Sequence, residues 1–295
     1  MGKPETTSHG TASIIQSINE EYEREYGDKL IAQDGSVTGT EFQYDGRSLD
    51  VSAESTNGFA VATNGENLLL LDGRGSADSA ILSYSFGTPW DLSTLSYDNE
   101  SFTVGGQAEF PRGMDTDGDT LIITGDTLTG RIFQYSFGSS WDVTTLSYDG
   151  EQFNTGDQTA EPRGITTDGE TVILAGSESY DLYQYSMEPW DISTLSYDNV
   201  SYDVSGITNS PFGAMSDGEF LLLMDDSSND IQQYVFGSTW DLSTIERDRS
   251  ADVSDESNSP YGVYSGDGVA IVSSANPRNE LLSYSYVPDI RLPER

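Results

Sequence analysis

One stretch recurs almost unchanged at a fixed interval, and that interval restricts the chain to repetitive architectures. It reads TPWDLSTLSYD from Thr88, SSWDVTTLSYD from Ser139, EPWDISTLSYD from Glu188 and STWDLSTIERD from Ser238. Its tryptophans, Trp90, Trp141, Trp190 and Trp240, are the only four in the chain and stand 51, 49 and 50 residues apart. A period of this size belongs to solenoids, propellers or arrays. The 295 residues therefore read as one large repetitive domain rather than two unrelated ones.

Aligning the units predicts their strands. First strands start at Gly58, Pro111, Pro162, Pro211 and Pro260, each followed by a turn and a more apolar second strand, as in PRGMDTDGDTLIITG. The turns Asn64-Gly65, Asp117-Gly118, Asp168-Gly169, Asp217-Gly218 and Gly266-Asp267 match two-residue type I′ hairpins, which need positive φ at both positions. A third strand such as RIFQYSFG precedes the Trp-Asp element, and a fourth such as ESFTVGG follows it. Four strands in about 50 residues make one propeller blade. The fifth unit ends at VPDIRLPER without a fourth strand, while Glu41–Glu54 aligns with the fourth strand of the next unit. The expected fold is thus all-β: a five-bladed propeller over residues 39–295, its ring closed by the N-terminal strand, which removes two free sheet edges. Residues 1–38 form an arm. Within it Ile14, Ile15, Ile18, Tyr22 and Tyr26 fall on one helical face over about 11–26, and Gly27 stands at the stop. That apolar stripe packs either on the chain's own propeller or on a partner, as an oligomerising or anchoring arm.

Charge narrows the partners. Fifty acidic residues face 13 basic ones, for a net charge of -37, and only Lys3 and Lys29 are lysines. A disordered acidic chain would lack aromatics, yet this one has 17 Tyr and 11 Phe. An acidic, lysine-poor folded surface suits molar salt, where a Debye length of about 3 Å screens self-repulsion. The expected source is a halophile or a virus that infects one. The sign of the charge argues against nucleic acid or an anionic membrane as partner. No apolar run reaches transmembrane length, and no basic segment followed by an apolar run marks a Sec-type signal. A myristoylation reading of Gly2 finds only Thr6 in its favour.

The inventory of chemical groups is short. There is no cysteine, and His9 is the only histidine, which removes zinc sites, thiolate sites and Ser/His/Asp sets. No cofactor is expected. The Asp of each Trp-Asp element, as in Asp91-Leu92-Ser93-Thr94, is placed to accept from the amides of Ser93 and Thr94 and fix a turn. The tryptophans then cover blade edges, or else serve as repeated sugar platforms. Asp115-Thr116-Asp117-Gly118-Asp119 resembles the start of a calcium loop but lacks the downstream glutamate, so a hairpin turn is the stronger reading. A glycosidase needs two converging carboxylates, but the positions aligned with Asp115 are Ala62, Thr166, Met215 and Tyr264. Arg112 and Arg163 occupy equivalent places near one channel mouth, where Phe59, Phe212 and Tyr261 stand in the other units. They pair with neighbouring carboxylates or hold an anionic ligand.

The unit PRG…TDG(D/E)…(Y/F)QYS…PWD(L/I)STLSYD…SF resembles propeller repeats of tail and fibre proteins of tailed phages, over about residues 39–290. With the extreme acidity, it looks like a haloarchaeal tailed-virus version. The resemblance implies a non-enzymatic virion surface protein, a capsid decoration or turret or a tail-associated protein. It would be assembled in the host cytoplasm, anchored to capsid or tail proteins by its arm and homo-oligomeric. Its propeller would meet a host surface-layer glycoprotein or glycan. The alternatives are a halophilic lectin-like propeller and, less favoured, a glycoside hydrolase.

Overall fold

The structure is a computed structural model that describes residues 42–286, apart from 74–75, 109, 126–128 and 276–278. The arm of residues 1–38, with its expected helix and the stripe Ile14, Ile15, Ile18, Tyr22 and Tyr26, lies outside the described residues. Two compact units are present. One comprises residues 1–43 and 285–295. In it the Phe42 ring stacks on Tyr286 with centroids 5.2 Å apart, and the Ser285 hydroxyl donates to the Gln43 carbonyl at 3.4 Å. The other, Tyr44–Tyr284, is the propeller.

Its strands form five four-stranded sheets. Four blades are continuous in sequence, their innermost strands being Gly58–Thr63, Pro111–Thr116, Pro162–Thr167 and Pro211–Ser216. The fifth takes three strands from the C-terminal side, Pro260–Gly266, Val269–Ser274 and Glu280–Ser285, and its outer strand from Gln43–Asp50. Ring closure therefore follows the alignment of Glu41–Glu54. The Val51 amide donates to the Asn279 carbonyl at 2.9 Å, and the Ser283 hydroxyl donates to the Asp45 carboxylate at 2.6 Å.

The second strand of each blade is an unbroken apolar run because both of its faces are covered. In NLLLLD, Leu69 and Leu71 pack with Leu121 and Ile123 of the second blade. Leu68 and Leu70 pack the other way, with Ile271 and Leu281 of the fifth. Side chains alternate across a strand, so one strand feeds two cores. The same division recurs where Ile173 and Ala175 meet Leu221 and Leu223. Burial of this kind is worth about 25 cal/mol per Å² of apolar surface and makes each blade depend on its neighbours.

Four of the five innermost strands begin at proline, which lacks the N–H a ladder would use, and each of these shows a register shift in the three residues after it. Glycine follows two positions later for a packing reason. A Cβ on Gly113, Gly164 or Gly213 would run into the carbonyl of Arg163, Phe212 or Tyr261 on the adjacent inner strand. Between the inner strands, beside Gly113, Gly164, Gly213 and Gly262, lies a cavity of about 10 Å³, the scale of one water.

The hairpin turns differ from the type I′ expectation. In the first four blades only the glycine has positive φ: Gly65 at 87°, Gly118 at 93°, Gly169 at 95° and Gly218 at 89°. The loops are three residues long, and the Asn or Asp side chain closes them. Asp117 Oδ1 accepts from the amides of Asp119 at 2.9 Å and Thr120 at 2.7 Å. This side-chain turn satisfies amides that a two-residue loop would leave to the ladder. The fifth blade alone has positive φ at two successive turn residues, and they are Asp267 (50°) and Gly268 (73°), one residue later than Gly266-Asp267.

Candidate functional site

The repeated Trp-Asp elements close onto the hairpin turns of the blades. Each tryptophan sits on the turn glycine of its own blade: a Cβ on Gly65, Gly118, Gly169 or Gly218 would overlap the indole of Trp90, Trp141, Trp190 or Trp240. The tryptophan amides donate to those same glycine carbonyls at 3.0, 2.9, 2.8 and 3.2 Å. All four indole residues are half-buried and have φ between 55° and 60°, a conformation that costs a bulky residue about 1–2 kcal/mol. The next residue caps a short turn. Asp91 Oδ1 accepts from the Ser93 amide at 3.1 Å and its hydroxyl at 2.6 Å, which holds the carboxyl below the usual range. The Thr94 amide, expected on that carboxylate, goes instead to the Asp91 backbone carbonyl at 2.9 Å, because the tight turn brings the carbonyl closer in line. Gln134 and Gln184 carry the order onward, their side-chain oxygens accepting from the Ile192 and Leu242 amides of the following blade at 2.9 and 2.7 Å.

At the turn end of the channel stand Ala62, Asp115, Thr166, Met215 and Tyr264. Asp115 is 6% exposed, and burial pushes its carboxyl up to about 7. That rise is opposed by the amides of Thr167 and Thr116, at 2.8 and 2.9 Å, and by the Thr166 hydroxyl. Burial also raises Tyr264, with Asp115 adding to it. The neighbouring positions bridge blades as well: the Ser216 amide donates to the Thr166 hydroxyl at 2.9 Å, and the Ser265 hydroxyl lies 3.0 Å from the Met215 sulfur. Asp115 and Asp117 serve different amides rather than converging. Among the described residues no group of three acidic or histidine side chains could hold a metal, and no second carboxylate joins Asp115 at its four equivalent positions.

The opposite mouth is different. Here the residues after the strand-opening positions gather into one cluster. Arg112 lies over the Phe59 ring, its guanidinium carbon 4.4 Å from the centroid, and 6.0 Å from that of Phe212. Arg163 lies 4.6 Å from the Phe212 centroid. Phe59, Phe212 and Tyr261 pack on one another at 4.5–5.8 Å. The structure therefore brings together Arg112 and Arg163 and keeps the four tryptophans apart, one per blade. Arg163 pairs with Glu161 at 3.6 Å, with side-chain exposures of 22% and 44%. Burial pushes the Asp226 carboxyl up; Arg163 opposes that shift and Asp225 adds to it. Tyr261 is also raised, by burial first and then by Asp226. Phe110 was not singled out from sequence. It directly precedes Pro111-Arg112, and at 43% it is the exposed large hydrophobic among the described residues. Its sequence signal is positional: Asn57, Glu161, Ser210 and Ser259 stand there in the other units.

No protein-family model matches the chain, and no curated protein matches it. Solved structures do resemble the fold. Glutaminyl cyclase from Myxococcus xanthus matches with a TM-score of 0.55 at 12% identity, over 84% of this chain and 99% of that one. Regucalcin from Agrobacterium tumefaciens, described as a calcium-binding protein, matches at 0.54 and 12% identity, over 84% and 95%. These likenesses establish the five-bladed propeller. They also correct the expectation of a non-enzymatic protein: a similar propeller fold carries an enzyme in the Myxococcus cyclase, so the expectation that this chain is not an enzyme is withdrawn. No helix among the described residues is long and apolar enough to cross a membrane.

Proposed function

We propose that the chain is a surface-recognition propeller, a virion surface protein of a virus of halophilic archaea, as capsid decoration, turret or tail-associated protein. The N-terminal arm of residues 1–38 anchors it to capsid or tail proteins as a homo-oligomer, and the propeller meets the host surface. The repeat resemblance and the net charge of -37 support this reading. The observation that carries the recognition role is the division between the repeated residues, which hold blade to blade, and the mouth. There Arg112 and Arg163 lie on aromatic rings. A lectin with one sugar platform per tryptophan is less well supported, since each indole is seated on its turn glycine.

Antibodies against the purified propeller should label particles harvested from the source culture, and deletion of residues 1–30 should abolish incorporation while the propeller still folds. Unlabelled particles would remove the virion placement. Incorporation of the truncated protein would remove the anchoring role.

A further inference from the structure

We propose that Asn99 and Asn199 are N-glycosylation sites, each accepting a phosphate-activated sugar on its carboxamide nitrogen at the outer edge of its blade. The inference goes beyond the surface-recognition reading and does not depend on the virion placement.

The motif is the first argument. Asn-X-Ser/Thr, with X other than proline, is the acceptor signal for N-glycosylation. The chain contains it twice, as Asn99-Glu100-Ser101 and Asn199-Val200-Ser201. Asn209-Ser210-Pro211 and Asn258-Ser259-Pro260 fail it at the third position. The two matches stand at the same point of their repeats, on the outer strands Leu95–Thr103 of the first blade and Asp191–Asp203 of the third. Within its sheet each of these strands has a neighbour on one side only.

Geometry is the second. The register slips at both asparagines. Leu82 pairs with Ser101 but Tyr84 with Tyr97, and Gln184 pairs with Val200 but Tyr185 with Tyr197. The extra residues form a bulge, and φ is 59° at Asn99 and 60° at Asn199. In the fifth and second blades Gly46 and Gly150 take that place, at 81° and 88°. Positive φ explains why the position takes asparagine or glycine; it does not explain an idle carboxamide. Asn64 and Asn154 use their side-chain oxygens to accept backbone amides. Asn99 and Asn199 make no such bond among the described residues. Their neighbours do the holding instead. The Ser83 hydroxyl donates to Asp98 at 2.8 Å, and the Ser186 hydroxyl and Gln184 carboxamide donate to Asp198 at 2.8 and 2.9 Å. Asn99, Asn199, Ser101 and Ser201 are all exposed, so both the acceptor nitrogen and the hydroxyl of the signal are open to a transferase. A Cβ on Gly46 or Gly150 would meet nothing within 4 Å, which shows that this corner of a blade has room for a bulky group.

The reaction is a substitution at the anomeric carbon. The asparagine Nδ2 forms a bond to C1 as the bond from C1 to the phosphate oxygen breaks. The proton on Nδ2 passes to a base of the transferase, and the phosphate leaves with the bonding electrons. Nothing is oxidised or reduced. The donor is a lipid-linked oligosaccharide or a nucleotide sugar, which share this chemistry. A glycan here also serves the fold. It covers an open sheet edge, which otherwise invites pairing with another chain, and in molar salt the acidic rim is too well screened to keep copies apart by charge alone.

The test is intact-mass spectrometry and peptide mapping of the full chain recovered from the source culture, with bacterially produced chain as the unmodified reference. Added saccharide mass is expected on the peptides carrying Asn99 and Asn199. Incubating the bacterially produced chain with source-cell cytosol and UDP-glucose, or with source-cell membranes, separates the two donors: transfer by the first assigns a nucleotide sugar, transfer by the second a lipid-linked one. In variants made in the source, Ser101→Ala and Ser201→Ala should each lose the added mass on their own peptide although the asparagine remains, while Ser101→Thr and Ser201→Thr should keep it. Asn99→Gly, the residue of the second and fifth blades, should lose it with the bulge intact. A purely structural role for the asparagines would leave every mass at the sequence value. Unmodified Asn99 and Asn199 in the chain from the source, or saccharide that survives the Ser→Ala changes, would overturn the proposal. Modified chain in cells whose particles lack it would refute the virion placement and leave these sites standing.

Discussion

The two ends of the channel are made by the same five strands and use their side chains in opposite ways. At the turn end, Asp115, Thr166 and Met215 each reach into the next blade for an amide or hydroxyl, and the tryptophans sit on their own turns. At the mouth, Arg112 and Arg163 lie on the buried rings of Phe59 and Phe212, and only the arginines and Tyr261 remain partly open to solvent. One end joins blades together. The other collects what each blade does not need for that purpose, which makes it the place where a binding surface arises without weakening the ring.

Breaking the turn end should therefore cost stability, and the largest effect should be pH-dependent. The Asp115 carboxyl is raised by burial to about 7 in the fold, against about 3.9 in an unfolded chain. The folded state thus holds the proton more tightly, and this group's contribution is full below about pH 4 and lost as pH rises toward about 7. Asp115→Asn has no such proton to lose. Between about pH 4 and 7 the unfolding free energy of the variant, compared with the parent by guanidinium denaturation, should shift in the variant's favour by up to about 4 kcal/mol. A difference that stays flat over that window would show that Asp115 ionises freely.

Gly164→Ala comes next. Its Cβ meets the backbone of Phe212 and Ala214 on the adjacent strand, and backbone in a closed ring has little room to yield. A loss of about 3 kcal/mol is expected, read as a lower denaturation midpoint. Trp141→Ala should cost about 2–3 kcal/mol, below the range for a fully buried indole. Trp141→Gly should be milder by about 1 kcal/mol, since glycine accepts the φ of 60°. If alanine and glycine are equally harmful, backbone strain at the Trp-Asp element is negligible. At the mouth, by contrast, Arg163→Gln should change stability by less than about 1 kcal/mol, the scale of an exposed ion pair and a surface cation–π contact. A loss as large as that of Gly164→Ala would mean that the mouth also holds the ring together, and the contrast between the two ends would fall.

The tryptophan spacing and the missing fourth strand of the fifth unit were enough to read five blades and their closure. The reason is that a propeller repeats its local sequence at each blade and must end its ring somewhere. The hairpins were found but their geometry was not: Asn64-Gly65 and its equivalents suit type I′ loops by composition, yet a three-residue loop closed by the side chain leaves only the glycine at positive φ. Phe110 escaped notice because exposure is not written in a residue's type.

Sequence by itself determined the blade count, the closing strand and the scarcity of positive charge, since periodicity and composition are properties of the chain taken in order. Tertiary structure decided the rest. Arg112, Arg163 and Phe212 stand about 50 residues apart along the chain, and only the ring brings both guanidinium groups over one ring. The glycine of the PRG unit is likewise legible as a repeat, but its purpose lies in the carbonyl of the neighbouring blade. Contacts between blades depend on a separation that no local pattern records.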